Sequence, residues 1–435
     1  MPISFGILIL WLKIFYFKER FVKNYFLIAQ EFTSGCYRLS RGYLRMILMK
    51  KIRVLQCIRQ GQIGGGETHL VTLVENMDKS IYEPVVLSFT DGPMIKKLIS
   101  MNITTHVIHS EKPFDLRVWK KVATLLVEEE IDVVHCHGTR AISNVFKAAK
   151  SLNLPIIYSI HGWSFHDDQP RYIKKIKILC EHFLTSRADV NIAVSESNRA
   201  SGTAVIKSFK AVVINNGINQ QKFNPGKNFK NIREEINVNN SAILIIFIAR
   251  FTAHKQPLSL IKAFAIALKS HPGLQLLMVG EGDETAQANE LVKRERIEDN
   301  IHFLPFRQDV PDLLAAADIF VLPSLWEGLP IGLIEAMSMG KAVIATNVDG
   351  SREIVKNDYS GLLIETDNLV ANLTKAILDL AGSKSLREKL SNNALKTVSL
   401  NFNAAKMTKK IEKVYEGLLP VTTSKLELFA EGIAN

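Results

Sequence analysis

Residues 319–337 read IFVLPSLWEGLPIGLIEAM, in which an apolar strand pattern, Ile319–Pro323, runs through a short loop into a helix pattern. The strand pattern is a continuous apolar run and not an alternating one, which is typical of a parallel strand covered on both faces. Similar runs recur along the chain from Ile52, and the stretches between them are long enough for helical crossovers. The sequence therefore predicts an α/β fold.

The predicted strands fall into two series. In the first half they are Ile52–Ile58, Pro84–Phe89, Thr105–Ile108, Ile131–His135, Ile156–Ile160, Val190–Val194 and Val212–Asn215. In the second half they are Ala242–Ala249, Leu276–Val279, Ile301–Phe306, Ile319–Pro323, Ala342–Thr346 and Leu362–Ile364. A polar stretch, Asn215–Asn231, separates the series, so we expect two doubly wound, Rossmann-like domains facing a central cleft.

The length of 435 residues also suits two domains. We predict domains over residues 51–220 and 221–400, with residues 401–435 forming a last helix and a tail. Residues 1–50 carry +6 of the +11 net charge. Their apolar run, Ile3–Phe17, is too short to span a bilayer. It is interpreted as a membrane-surface segment, as a marginal anchor, or as a misassigned start with translation beginning at Met46 or Met49.

The four cysteines form no Cys-x-x-Cys pair, which favours a reduced, cytoplasmic protein. A position at the inner face of the cell membrane is the alternative, because the basic excess suits an anionic surface. No basic stripe is interleaved with aromatic residues, so we expect no nucleic-acid partner.

The start of the predicted helix after Ile319–Pro323 is a candidate phosphate site. Pro330 suits a first helical position. Ile331, Gly332 and Leu333 would then offer free backbone N–H groups, which attract phosphate.

Two carboxylates flank this helix start. Glu327 precedes the helix and Glu335 lies just over one turn inside it, so both could accept hydrogen bonds from sugar hydroxyls. The alternative for Glu335 is that it only complements the helix dipole.

Three further strand ends carry candidate residues. Arg250 and Lys255 follow one strand and suit a diphosphate, although a solvated basic loop is the alternative. Gly280 and Gly282 close the next strand, in a turn that would let a ribose or base approach. His161 ends Ile156–Ile160 and would point into the cleft.

The first predicted strand leads into Gly64, Gly65 and Gly66, followed by a helix predicted over about Thr68–Met77. Backbone amides at such a turn can contact phosphate. The pattern is not the Gly-x-Gly-x-x-Gly of a nicotinamide enzyme.

The histidine and aspartate patterns bear on whether the protein binds a metal ion. His135 and His137 would share one face of a strand, but no third ligand has a recognisable spacing, so we predict no metal site. The chain contains no Asp-x-Asp, the usual carrier of a divalent cation on a diphosphate, and we expect no cofactor.

Together these motifs resemble the family 4 (group 1) retaining glycosyltransferases of GT-B architecture, over about residues 50–418. The resemblance implies that Glu335 binds the nucleotide ribose and that Glu327 and His161 lie at the donor sugar. It also implies that Arg250 and Lys255 hold the diphosphate, that the glycine-rich loop approaches it, and that the last helix crosses back to the first domain.

The implied activity is transfer of a sugar from a nucleoside-diphosphate sugar, with uracil the expected base, to an acceptor hydroxyl. A basic amphipathic helix over Arg171–Arg187 is suited to an anionic membrane surface. Similar enzymes with such a helix often act on polyprenyl-linked sugars, so the resemblance implies a lipid-linked saccharide acceptor, as in bacterial polysaccharide, lipopolysaccharide or capsule biosynthesis. The alternative for this helix is an apolar stripe packed in the core. The alternative functions are a nucleotide-sugar epimerase and a non-catalytic sugar- or nucleic-acid-binding protein.

Overall fold

The computed structural model describes residues 51–62, 64–166 and 169–419. The expectations for residues 1–50 and for the tail from Pro420 lie outside the described residues. Among the described residues, no helix combines the length and the apolar character needed to cross a bilayer.

Two parallel sheets organise the chain, as the sequence predicts. The first has the order β3-β2-β1-β4-β5-β6-β7. Its strands are β1 Ile52–Ile58, β2 Tyr82–Ser88, β3 Thr104–Val107, β4 Val133–His137, β5 Ile156–Ile160, β6 Val190–Ala193 and β7 Val212–Val213. The second has the order β10-β9-β8-β11-β12-β13. Its strands are β8 Ile243–Ile248, β9 Leu274–Val279, β10 Ile301–Leu304, β11 Ile319–Leu322, β12 Ala342–Thr346 and β13 Leu362–Ile364.

Helices connect successive strands and cover the two sheets. In the first half they are α1 Gly65–Asn76, α2 Pro93–Ser100, α3 Leu116–Glu128, α4 Thr139–Ser151, α5 Arg171–Thr185 and α6 Glu196–Val205. In the second half they are α7 Ile232–Glu235, α8 Pro257–Ser270, α9 Thr285–Glu295, α10 Val310–Ala316, α11 Ile331–Ser338, α12 Asp349–Ile354, α13 Leu369–Gly382, α14 Lys384–Asn401 and α15 Ala404–Leu418.

Nine of the thirteen predicted strands differ from the structure by one or two residues at one or both ends, and one predicted helix start differs by three residues. The strand predicted from Ile131 begins at Val133, because Glu130 adopts a left-handed conformation and the chain is still turning out of α3 there. The helix predicted from about Thr68 begins at Gly65, so the glycines form its first turn and not a preceding loop. This change brings the backbone of Gly65 and Gly66 into a helix N-terminus.

The central strands are buried on both faces, which explains their continuous apolar runs. In the first sheet, Val54 and Leu55 are both fully buried but belong to different apolar clusters. The same holds for Ile245 and Ile246 in the second sheet. Each sheet therefore has a core on either side, and its carboxyl edge is left to form a site.

The last helix, α15, packs on elements of the first sheet. Met407, Ile411 and Tyr415 share a buried cluster with Val54 of β1 and Leu73 of α1. The backbone N–H of Asp78 also donates to the Glu412 carboxylate at 2.8 Å. The chain that forms the second sheet thus ends against the first. The numerical domain boundaries near residues 220 and 400 stay a prediction.

Candidate active site

His161 lies at the carboxyl end of β5, where elements of both sheets meet. Gly66 of α1 lies beside it, since a Cβ built on Gly66 would be 3.6 Å from His161 Cδ2. Gly328 approaches from the second half of the chain, and a Cβ there would be only 2.0 Å from the His161 carbonyl oxygen. The loop that carries Glu327 is therefore packed directly on His161.

Hydrogen bonds hold this loop from the first half of the chain. The Ser195 hydroxyl donates to the Gly328 carbonyl at 3.0 Å, and the Asn216 amide donates to the Leu329 carbonyl at 3.0 Å. The backbone N–H of Glu196 donates to the Glu353 carboxylate at 2.9 Å. The residues around His161 thus form one connected site.

Glu327 and Lys255 form an ion pair with each other. Their side chains are only 10% and 18% exposed, respectively, so the pair is largely removed from solvent. The resemblance assigned Lys255 to a diphosphate and Glu327 to a sugar. The structure brings the two groups together and makes Glu327 the present counter-charge of Lys255.

Trp326 lies between two histidines in an aromatic stack. Its ring centroid is 3.7 Å from that of His166 and 4.1 Å from that of His254, with nearly parallel planes. Burial lowers the pKa of His254 to about 4, and the charge of Lys255 adds to the effect. The stack packs Trp326, which directly precedes Glu327, between these two rings.

Arg250 and Glu67 of α1 are close enough for the charge of each to affect the pKa of the other. Burial lowers the pKa of Arg250, and the charge of Arg59 lowers it further, while the charge of Glu67 opposes these effects. Burial conversely raises the pKa of Glu67, against the charges of Arg59 and Arg250. A guanidinium stays protonated under such shifts, so Arg250 and Arg59 bring positive charge to this end of the cleft.

The helix start at α11 is formed as predicted to within one residue. The helix begins at Ile331, and Pro330 is its N-cap without a side-chain hydrogen bond to the helix. The first N–H groups, at Ile331, Gly332 and Leu333, have no partner earlier in the helix. A Cβ on Gly332 would meet no heavy atom closer than Phe320 Cζ, at 3.8 Å.

Glu335 is a partly buried carboxyl on α11. Burial raises its pKa to about 7, although the charge of Lys222 opposes the rise. Dipole complementarity alone would favour the ionised carboxylate and lower its pKa. Burial has the opposite effect on Glu335 and raises its pKa. Burial therefore keeps the neutral carboxyl the more stable form up to about pH 7.

Close packing against the neighbouring backbone is sufficient to explain why positions 280 and 282 are glycines, Gly280 and Gly282. A Cβ would lie 2.1 Å from the Ala249 carbonyl oxygen at Gly280 and 2.4 Å from the Phe251 carbonyl oxygen at Gly282. Gly280 also has φ of +132°. The predicted contact of Gly280 and Gly282 with a nucleotide stays a prediction. Gly65 differs from them, because no heavy atom lies within 4 Å of a Cβ built on it, and it faces open space.

A histidine cluster surrounds His161. Ring atoms of His69, His137 and His161 that could hold a metal ion lie within 4.8 Å of one another, a grouping that their sequence spacing did not reveal. Both nitrogens of His137 are already hydrogen-bonded, to Gln56 and to His161. A metal ion would have to displace the bond to His161, and the predicted absence of a metal stays a prediction.

Known protein families match both halves of the chain. The model for glycosyl transferases group 1 matches residues 228–397, and the model for glycosyltransferase family 4 matches residues 63–222. This chain belongs to the family 4 (group 1) glycosyltransferases. The resemblance read from its motifs and the predicted GT-B fold are thereby confirmed.

Relatives of this transferase act on different substrates. It is 26% identical to an Escherichia coli UDP-Gal:alpha-D-GlcNAc-diphosphoundecaprenol alpha-1,3-galactosyltransferase, covering 69% of this chain and 79% of that protein. It is 25% identical to a Bacillus anthracis N-acetyl-alpha-D-glucosaminyl L-malate synthase, covering 73% and 83%. Such identities show the class of reaction and leave the substrates open.

Solved structures support the fold. Anabaena Alr3699/HepE in complex with UDP and glucose matches with a TM-score of 0.75 at 21% identity, covering 84% of this transferase and all of that chain. WaaG, a glycosyltransferase involved in lipopolysaccharide biosynthesis, matches with a TM-score of 0.67 at 16% identity, covering 83% and 99%.

Some residues of the transferase site were not recognised from the sequence. Glu67 and His69 follow the glycines in α1 and are 5% and 2% exposed. Buried charged residues are uncommon, but burial is a property that one sequence shows only indirectly. Arg59 directly follows β1, so its position at a strand end was the available signal.

Glu335→Gln tests the buried carboxyl. Above pH 7 wild-type protein carries an ionised group that burial disfavours, since its folded pKa, about 7, exceeds the usual 4.5. We expect the variant to be more stable at pH 8, by at most about 3 kcal/mol, and equally stable below pH 4.5. Chemical denaturation at several pH values measures this. Exposed Glu290→Gln is the control, and equal stability of wild type and Glu335→Gln at pH 8 would contradict the assignment.

Proposed function

We propose that this transferase moves a sugar from a UDP-sugar to a hydroxyl of a lipid-linked saccharide, with retention of anomeric configuration. Three observations support the donor site. The loop before α11 packs on His161, Arg250 follows β8, which pairs with the strand before α11, and Glu335 lies on α11 itself. A cation and a helix N-terminus are suited to a diphosphate. A carboxyl with its pKa near 7 is suited to a pair of ribose hydroxyls.

The leaving diphosphate gains negative charge as the sugar departs. Arg250 and the backbone N–H groups at Ile331–Leu333 would stabilise this charge with little reorganisation, because they are positioned before the donor arrives. These groups supply the neutralising charge that a divalent cation supplies in other transferases. We therefore propose that transfer needs no metal ion and no cofactor.

The ion pair of Lys255 and Glu327 gives the site a way to respond to the donor. A diphosphate that binds Lys255 would compete with the Glu327 carboxylate for the same ammonium group. Glu327 would then be available to orient the sugar and stabilise positive charge at its reacting carbon. This role supports retention without making Glu327 a covalent nucleophile.

His161 completes the donor-sugar end of the site in this proposal. Its Nδ1 is buried without a hydrogen-bond partner among the described residues. A buried nitrogen without a partner costs free energy, which a ligand hydroxyl would recover. The epimerase and non-catalytic alternatives are set aside, because both family models and the named relatives are glycosyltransferases.

A donor panel tests the proposed function. We expect UDP-sugars to raise the melting temperature more than GDP- or ADP-sugars, since a ligand that binds only the folded state stabilises it. Transfer to a synthetic lipid-linked saccharide is then followed by mass spectrometry with and without a chelator, and the anomer by NMR. Epimerised donor without acceptor, an inverted linkage, or a chelator effect reversed by Mg²⁺ would each contradict the corresponding part of the proposal.

Gly332→Ala tests the diphosphate position. The added methyl group has room in the free protein, so the melting temperature is expected to be unchanged or raised, as alanine favours helices. If a diphosphate lies against α11, the methyl group should weaken binding of UDP by about tenfold or more. Isothermal titration measures the affinity. Gly382→Ala, with no atom within 4 Å, is the matched control, and unchanged affinity in Gly332→Ala would refute this position.

Helix α5 supports a membrane-bound acceptor. The alternative of a stripe packed in the core is wrong for Tyr172, Ile176 and Leu179, which are 68%, 57% and 66% exposed. They lie four and three residues apart and so share one face. Arg171, Lys174, Lys175 and Lys177 lie among them. An exposed apolar face with interleaved cations is suited to an anionic bilayer surface, and we propose that α5 docks there.

The double substitution Ile176→Ser and Leu179→Ser tests this docking. Both side chains are exposed, so the fold should be retained while binding to anionic phosphatidylglycerol vesicles falls at least about tenfold. Vesicle sedimentation measures it. Leu400→Ser, which removes another exposed leucine (71%) far along the chain, is the control. Wild-type protein that does not sediment with these vesicles would overturn the proposal.

A further inference from the structure

Behind His161, buried side chains form a continuous chain of hydrogen bonds. His161 Nε2 lies 3.0 Å from His137 Nδ1, and His137 Nε2 lies 2.9 Å from the Gln56 Oε1 atom. The Gln56 amide nitrogen in turn donates to the Tyr415 hydroxyl at 2.9 Å. This chain of hydrogen bonds links His161 to helix α15 through β4 and β1.

The chain continues on the other side of Tyr415. The Tyr415 hydroxyl lies 2.7 Å from His135 Nδ1, and His135 Nε2 lies 2.8 Å from the Ser159 hydroxyl. Gln56, His135, His137 and Tyr415 are all at most 2% exposed. Water therefore cannot readily replace any of these partners.

Each neutral imidazole in the chain carries one donor and one acceptor nitrogen. Because Gln56 Oε1 can only accept, His137 must carry its proton on Nε2 and leave Nδ1 as an acceptor. His161 must then donate from Nε2, which leaves His161 Nδ1 as an acceptor. The orientation of one amide group therefore decides what His161 offers to a ligand.

The imidazoles are neutral, as this argument requires. Burial lowers the pKa of His137 and of His161 well below the usual value, and the neighbouring imidazoles add to the effect. Among the described residues, neither ring is hydrogen-bonded to a charged group: the bonds of His137 go to Gln56 and His161, and His161 Nδ1 has no partner. Both rings thus keep one proton each.

In the structure, the Tyr415 hydroxyl is the partner of the Gln56 amide nitrogen. Its oxygen accepts from the amide nitrogen, and its own proton is then directed to His135 Nδ1, so His135 donates from Nε2 to Ser159. If the amide rotated by 180°, its nitrogen would face His137 and every donor in the chain would reverse. His161 Nδ1 would then be a donor and not an acceptor.

We propose that Tyr415 and Gln56 are positioning residues that hold His161, through His137, as the Nε2–H tautomer with Nδ1 free to accept a hydrogen bond from a donor-sugar hydroxyl. The consequence for the sugar rests on the proposed function. The tautomer itself depends only on the hydrogen bonds. The last helix thereby acts on the site without touching a substrate.

The tautomer can be measured directly on ¹⁵N-histidine-labelled protein without any donor. Long-range ¹H–¹⁵N spectra distinguish a protonated from an unprotonated ring nitrogen, and His161→Asn identifies the His161 signals. We expect Nε2–H alone in the wild type. In Tyr415→Phe, which keeps the ring but removes the hydroxyl, the Nδ1–H form should appear. Gln56→Leu breaks the chain independently from β1 and should have the same effect.

The control is Tyr82→Phe. Tyr82 is also buried, packs against Tyr415 with ring centroids 5.7 Å apart, and donates to the Glu412 carbonyl of the same helix, but it is outside the chain. We expect this variant to keep the wild-type tautomer and rate. Tyr415→Phe should lose about two- to tenfold in kcat/KM, the range of one hydrogen bond.

Two results would overturn the inference. One is an Nδ1–H tautomer of His161 in the wild type, and the other is an unchanged tautomer in both Tyr415→Phe and Gln56→Leu. If the tautomer shifts as expected but no sugar transfer is found with any donor, the proposed function fails and the tautomer assignment stands.

Discussion

The site depends on one close backbone contact, that of Gly328 with the carbonyl of His161. No side chain fits there, because a Cβ would lie 2.0 Å from the carbonyl oxygen. The contact joins the carboxyl end of β5 in the first sheet to the loop after β11 in the second. It places Glu327, and with it Lys255, beside the carboxyl end of β5, where His161 lies. Ser195 and Asn216 hold the loop in this position.

The site holds polar groups at a cost in stability. Glu335 has a raised pKa, and His69 and His161 have buried ring nitrogens without partners among the described residues. Unpaired buried groups of this kind destabilise a fold, and they are common where a ligand completes the hydrogen bonding. Lys255 and Glu327 differ, because they form an ion pair and neutralise each other. In the free protein, some buried polar groups of the site therefore lack partners, whereas Lys255 and Glu327 are paired.

Much of the fold was predictable, and four strands, among them Ile52–Ile58 and Ile156–Ile160, have the predicted bounds. Doubly buried parallel strands have continuous apolar runs that are easily recognised. The bounds of α1 were less predictable, because glycine is a poor helix former and Gly65 and Gly66 nevertheless begin the helix. The exposed stripe of α5 could not be decided from its period, since an apolar face has the same spacing whether it meets a core or a membrane.

The sequence was sufficient to predict the family, the two parallel sheets and the candidates at strand ends, such as His161 and Arg250. These follow from local patterns, because strand ends and helix starts are properties of contiguous residues. The partners became known from the folded chain: Lys255 with Glu327, and Tyr415 with Gln56, which are 359 positions apart. A hydrogen bond or an ion pair depends on distance in space, and that distance is set by how the sheets and the last helix pack.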